Sequence, residues 1–418
     1  MITIKLKGGA LYVAVIISIL ISIILSLFIV LAYYNVQSVQ SQNSLMQLHL
    51  SMEGGFEIAQ SNFYNNSSGN TWQKMPYNND SVMVKKMAWG CFTLVDVKAK
   101  NAHFNIHKTG LFGAPSTMDT ALMVTEQNRP IGLAGKIKFN GACYLPKAGV
   151  KSAYIEGTSF SVLNSIRPYI KQAPSYIPEI DENYLKTIEE SQSVLNPYTD
   201  SLISFIPDVL VQSFQKKTSV IQQSSLTLNA QILSNNIKII ASDLITIENT
   251  CQLNNVLLIA RKVVFKKGFK GIVHVIAKDS IVTEDECEFN YPSSFCVYSN
   301  VNSIRPNPIV RGIFFGMKCK FKGGLLAVNN ASQSSRMLIK LNRDFELIGN
   351  AYSSNYTDAQ GSLYGSVFCQ TLLLQTPSGV YENHLLNCLI DPKTYGVNLT
   401  VPNWFKEKNK TATCAQWF

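Results

Sequence analysis

Hydrophobic positions divide this chain into one long apolar block and a finely punctuated remainder. Between Gly8 and Met52 there is no Asp, Glu, Lys or Arg, and Ala10 to Tyr34 is apolar apart from three serines. At about 1.5 Å per residue, a helix over 10–34 exceeds the roughly 30 Å hydrocarbon core, which predicts a tilted transmembrane span. Tyr33 and Tyr34 fit an interfacial belt at its far end. Lys5 and Lys7 precede the span and the next basic residue is Lys74. That asymmetry predicts a single-pass protein with a cytoplasmic N-terminus and a periplasmic or extracellular main domain. A cleaved secretory signal is the rival reading, but the run is long for one and no A-x-A site follows.

Within the apolar block Ala10, Ala14, Ser18, Ser22 and Ser26 recur every fourth position. A helix sets them on one ridge, where small side chains let helix backbones approach in lipid. Residues 35–70 read as a helical stalk. Val36, Val39, Met46 and Leu50 carry a three/four spacing, Gly54-Gly55 is expected to interrupt it, and Phe56, Ala59 and Phe63 restart it before the loop at Asn65 to Asn70.

The remainder is predicted to be mainly β. Residues 71–165 alternate over short runs with closely spaced glycines. Residues 166–226 are punctuated by Pro168, Pro174, Pro178, Pro197 and Pro207 and read as a helical insertion. One helix is expected from Asp181, a plausible N-cap, to Leu195, and a second over Ser201–Phe214. Residues 227–375 carry the most regular pattern. Ile239-Ile240-Ala241, Leu258-Ile259-Ala260 and Val275-Ile276-Ala277 recur at spacings of 19 and 17, each followed by a second short β run. A period of about 18 residues with polar corners predicts a parallel β-solenoid, one coil per repeat. An antiparallel sandwich is the alternative. Gly312 to Val328, Gly361 to Gln375 and Gly132 to Gly157 share the texture. Residues 376–418 read as irregular, with Trp417 and Phe418 an apolar tip for the body or a partner.

Composition narrows the function more than it names one. The 418 residues are 46% hydrophobic and 15% charged, with a formal net charge of +10. The basic residues are scattered, densest at Arg261, Lys262, Lys266, Lys267 and Lys270 and at Lys318, Lys320 and Lys322, and no nucleic-acid motif accompanies them. Nucleic acid is therefore not an expected partner; anionic lipid, polysaccharide or protein is.

No GxSxG, Walker loop, Rossmann glycine pattern or zinc spacing occurs, so no catalytic, cofactor-binding or metal residues are assigned and no cofactor is expected. His103 and His107 lie four apart in a β segment without an HExxH arrangement. Glu284, Glu286 and Glu288 alternate, which on a strand would share a face for calcium or polysaccharide; a solvated edge is the plainer reading. The Tyr/Ser/Asn-rich stretch Tyr352 to Tyr364 suits carbohydrate contact or an ordinary loop. Nine cysteines occur, none in CxxC. Cys287 and Cys296 flank a Pro-Ser-Ser loop and are either a local disulfide or buried small residues.

The basic leader with Lys5 and Lys7, Gly8-Gly9, and the run beginning Ala10-Leu11-Tyr12-Val13-Ala14 resembles the N-terminus of type IV pilin-like proteins. The match is closest to minor pilins and the tip pseudopilin of type II secretion. That resemblance implies peptidase cleavage between Gly9 and Ala10, partners among other transmembrane helices or pilin-like subunits, and a structural rather than enzymatic role in a bacterial cell envelope machine. Major pilins carry a Glu where this chain has Ala14, which puts filament formation in doubt. The glycine-and-valine coils resemble bactofilin-type β-helical polymer-forming domains. A membrane-anchored protein that binds or cleaves surface polysaccharide is the alternative.

Overall fold

A computed structural model describes residues 9–61, 71–76, 78–116, 119–160, 169–193, 200–300, 310–329, 336–394, 399–405 and 412–418. The chain opens with one helix, α1 (Gly9–Ser61), 53 residues long. It runs unbroken through Gly54-Gly55, against the expected interruption. The reason is packing. A Cβ on Gly55 would stand 2.6 Å from Val82 and 2.7 Å from Val97, so the bare backbone lets the helix lie directly on a sheet. That contact outweighs the modest helix penalty of glycine, about 1 kcal/mol. Residues 65–70, expected as a loop, and Phe63 lie outside the described residues.

The sheet is antiparallel. Its strands Ser81–Trp89, Phe92–Lys100 and Asn105–Pro115 form a meander. Thr400–Val401 and Thr413–Trp417 add to its far edge. Leu48, Met52, Phe56 and Ala59 of α1 are buried against Val82, Val95, Val97, Ala99 and Phe112. Their three/four spacing is the apolar stripe of an amphipathic helix end.

The larger body is a parallel solenoid-like sheet of 21 strands among the described residues. Coil stacking is read from one inward ladder, Ile203–Ile221–Ile239–Leu258–Val275–Phe295–Leu325–Ala351–Val367. The ladder then continues into Leu122, Cys143 and Ile170. So the solenoid exceeds the expected 227–375. The strands Thr120–Val124 to Ile170–Gln172 stack beyond the coils that end at Ile390. The chain then crosses by α2 (Glu182–Ser193) to the opposite end, where Asp200–Ile203 begins the winding. The segment 376–390 is likewise regular and supplies strands.

α2 starts as expected, with the Asp181 carboxylate accepting the Asn183 amide at 2.8 Å. The second expected helix, over 201–214, is instead two strands, Asp200–Ile203 and Val209–Gln212. They pair in parallel with the next coil. An available sheet edge outcompetes local helix propensity here.

Phenylalanines fill the interior. Phe265, Phe295, Phe315 and Phe345 form a run of rings, with centroids 5.6, 5.8 and 4.6 Å apart. At Gly349 (φ +136°) an added Cβ would fall on the carbonyl oxygen of Gly323 in the adjacent coil. Gly268 also has positive φ, but nothing lies within 4 Å of its Cβ position. Gly349→Ala should therefore lower stability by about 3 kcal/mol or more, and Gly268→Ala by only about 1–2 kcal/mol. Denaturant titration of the detergent-solubilised chain checks the contrast. Phe295→Ala should cost about 3–5 kcal/mol in the same titration.

Candidate functional site

Two regions carry the chemistry that the sequence singled out, α1 and the charged corners of the solenoid, and the structure adds a third, the junction between sheet and solenoid. Ala10, Ala14, Ser18, Ser22 and Ser26 are all exposed on the free half of α1. The Ser18, Ser22 and Ser26 hydroxyls donate to Val15 O, Ser18 O and Ile23 O at 2.8–2.9 Å. With these donors satisfied inside the helix, the ridge stays small at little polar cost to an apolar surrounding. The other half of α1 is pinned by polar contacts at the sheet edge. Ser51 donates to Asp80 at 2.7 Å, and Asn101 Nδ2 to Ser44 Oγ at 3.0 Å. Trp417 closes the dock, 4.8 Å from the Phe56 ring, with Lys108 Nζ 3.9 Å over the Trp417 ring. The Phe418 ring packs at a tilt against Phe214, with centroids 4.3 Å apart. The terminal apolar tip thus binds the body.

The acidic cluster is not a shared open face. Lys266 pairs with Glu284 at 2.9 Å, Lys267 with Glu286 at 3.5 Å and Lys270 with Glu288 at 3.6 Å. The basic cluster and the acidic cluster are consecutive coils of one corner, so the period of the solenoid sets opposite charges side by side. The hydrogen bond from Lys266 holds the Glu284 carboxyl below its usual range. These pairs are exposed and screened by solvent, so they add little to stability. His103 lies in a turn and His107 in a strand, where its ring meets Asp96; the structure does not bring the two histidines together as ligands. No group of three or more His, Cys, Asp or Glu suited to a metal occurs among the described residues. The stretch from Tyr352 is strand, not loop, and Tyr352 is buried with its hydroxyl donating to Pro178 O at 2.9 Å.

Cys287 and Cys296 stand on opposite faces of the sheet. Cys287 belongs to the solenoid interior and Cys296 to the layer under the antiparallel sheet. Of the two readings, a local disulfide or buried small residues, this placement favours the second. The register shifts between Phe289 and Ser293, in the strand between the two cysteines. Cys287 has Cys319 as its thiol neighbour, and Cys296 has Cys91.

The junction was not anticipated. The outer face of the solenoid carries a second apolar ladder, Ile240–Ile259–Ile276–Cys296–Leu326–Tyr352–Phe368. The turn at Trp89–Phe92, α2 and Trp404 cover it. Trp89 Nε1 donates to Asn255 O at 3.0 Å, and the Cys91 amide to Ser294 Oγ at 3.1 Å. Beside this turn lies a cleft of about 100 Å³ lined by Lys86, Gly90, Cys91, Tyr184, Thr187 and Asn403. Burial pushes the Lys86 ammonium down to about 8 and His274, under the turn, down to about 3. The signal in sequence was the doubled apolar pair in each repeat, Ile239-Ile240 and Leu258-Ile259. Neighbouring apolar residues on a strand need cover on both faces.

Comparison with protein-family models, with curated proteins and with solved structures finds no match to this chain.

Two measurements probe these regions. Gly55→Val should overpack the helix–sheet contact and cost about 1–3 kcal/mol, read as faster proteolysis after the helix and a lower Tm. Asp358 is buried, and burial pushes its carboxyl up to about 6 while Gln360 and the Gln375 amide donate to it at 3.1 and 3.0 Å. A raised folded-state pKa stabilises fully below the unfolded value and loses that contribution as pH rises through about 6. Asp358→Asn should therefore gain on the parent chain between about pH 4 and pH 7, by at most about 3 kcal/mol, in parallel melts.

Proposed function

We propose that this protein is a pilin-like structural component of a bacterial envelope assembly. Its N-terminal helix is anchored in the membrane, and its solenoid head makes contacts outside. The observation that carries this reading is the division of α1 into two halves. One is apolar, exposed and ridged with small residues; the other is docked on an antiparallel sheet. A continuous helix of 53 residues, held at its far end among the described residues, suits lateral packing with other helices in lipid. The Gly9–Ala10 junction, the resemblance at the leader and the helix–sheet unit all support the same role. The head adds no free carboxylate cluster at the solenoid corner, since Glu284, Glu286 and Glu288 are each paired with lysine. That pairing gives less support to one of the two features behind the polysaccharide alternative, the other being the Tyr/Ser/Asn-rich stretch from Tyr352 to Tyr364.

N-terminal sequencing of the membrane-extracted protein is expected to begin at Ala10; a chain beginning at Met1 would sink the processed-pilin form. Ser22→Cys, on the ridge, should give oxidative crosslinks to neighbouring helices in native membranes. Leu20→Cys, on the opposite side of the helix, should give few. Equal yields at the two positions would count against an oriented packing face.

A further inference from the structure

The turn at Trp89–Phe92 is one of the places where the sheet that grips α1 meets the solenoid, and it is held on several sides. Trp89 reaches Asn255 O, and Cys91 N donates to Ser294 Oγ. The Tyr184 hydroxyl of α2 donates to Cys91 O at 3.1 Å, and His274 Nδ1 meets the same Ser294 Oγ at 2.9 Å. Gly90, with φ +63°, has its Cβ position occupied by the Ser294 and His274 side chains. Ser294 and Cys296 are alternate residues of one strand and so face the same way. Cys91, whose amide is bonded to Ser294, and Cys296, on the same face of that strand, belong to one buried cluster.

We propose that Cys91 and Cys296 are a disulfide site that welds the helix-bearing sheet to the solenoid. The proposal rests on the reading that the head lies outside the cytoplasm, where disulfides persist. One S–S bond forms between the two sulfurs. Two protons and two electrons leave, and they reduce the disulfide of a thiol oxidoreductase or of oxidised glutathione to two thiols. Both sulfurs are buried, so the bond forms as the turn docks and is shielded afterwards. Any pull on α1 would pass to the sheet and on to the solenoid through a covalent link as well as through Trp89, Phe92 and Trp404. The pair joins two separately built parts, unlike Cys287 and Cys319, which lie on neighbouring coils already joined by the Lys320 amide donating to Cys287 O at 2.9 Å.

The test is a cysteine map of the full chain taken from its own membranes. The sample is unfolded in the presence of an alkylating agent without reductant, digested and read by mass spectrometry. A Cys91–Cys296 crosslinked peptide that vanishes on reduction is expected. Reductant should also lower the Tm of the parent chain while leaving Cys91→Ala/Cys296→Ala unmoved. Protease accessibility of intact cells is scored on the same sample. If the head is outside and both cysteines are recovered alkylated, the proposal is overturned. If the head is inside, the localisation has failed separately. The purified chain in a glutathione redox buffer then decides: the crosslink sustains the site, and its absence overturns it.

Discussion

Coil stacking is the constraint on which the rest of this protein depends. A single coil of the solenoid exposes its inward residues above and below, and only a neighbour covers them. Twelve positions, from Ile203 to Ile170, form one unbroken ladder along the body. The chain meets the requirement at one end out of sequence order. Residues after Thr120 stack beyond the coils that precede Ile390, then the chain crosses to the far end and winds back. The same stacking aligns side chains of like position. It produces the phenylalanine column, and it sets Lys266, Lys267 and Lys270 beside Glu284, Glu286 and Glu288.

A second consequence is the outer apolar face. A solenoid needs only its inward residues to be hydrophobic. Here the residues next to them, Ile240, Ile259, Ile276, Leu326 and Phe368, are hydrophobic too. Left bare, that face would be an exposed patch of the kind that drives association. It is covered within the chain by the turn at Trp89–Phe92, by α2 and by Trp404. The sheet that holds α1 is therefore not a loosely tethered domain. It is part of the layer that completes the solenoid, and the orientation of the helix relative to the head follows from that layer.

The helix shows how local rules and tertiary packing divide the outcome. Gly54-Gly55 reads as a break because glycine is a poor helix former. In the folded chain the same residue permits the closest approach of helix to sheet, where Val82 and Val97 leave no room for a Cβ. The stretch 201–214 shows the converse. Its spacing admits a helix, but the open edge of the Thr218–Leu228 coil offers backbone partners that an isolated helix lacks, and the segment becomes strands.

The sequence by itself determined whatever depends on short periods: the apolar helix, its ridge of small residues, the solenoid coils between 227 and 375, and the start of α2 at Asp181. All but the last are repeats of a few residues or of one coil, and the last is a single capping residue; both kinds of signal are visible without knowing what they touch. Only the tertiary structure decided which distant segments meet. It joined residues 120–172 to the end of the solenoid, paired the acidic corner with the basic one, and parted Cys287 from Cys296 while bringing Cys296 to Cys91. It also closed the helix dock with Trp417. These contacts span long stretches of chain, and they are fixed by complementarity of buried surfaces and by backbone hydrogen bonding, which leave no periodic trace in the residues themselves.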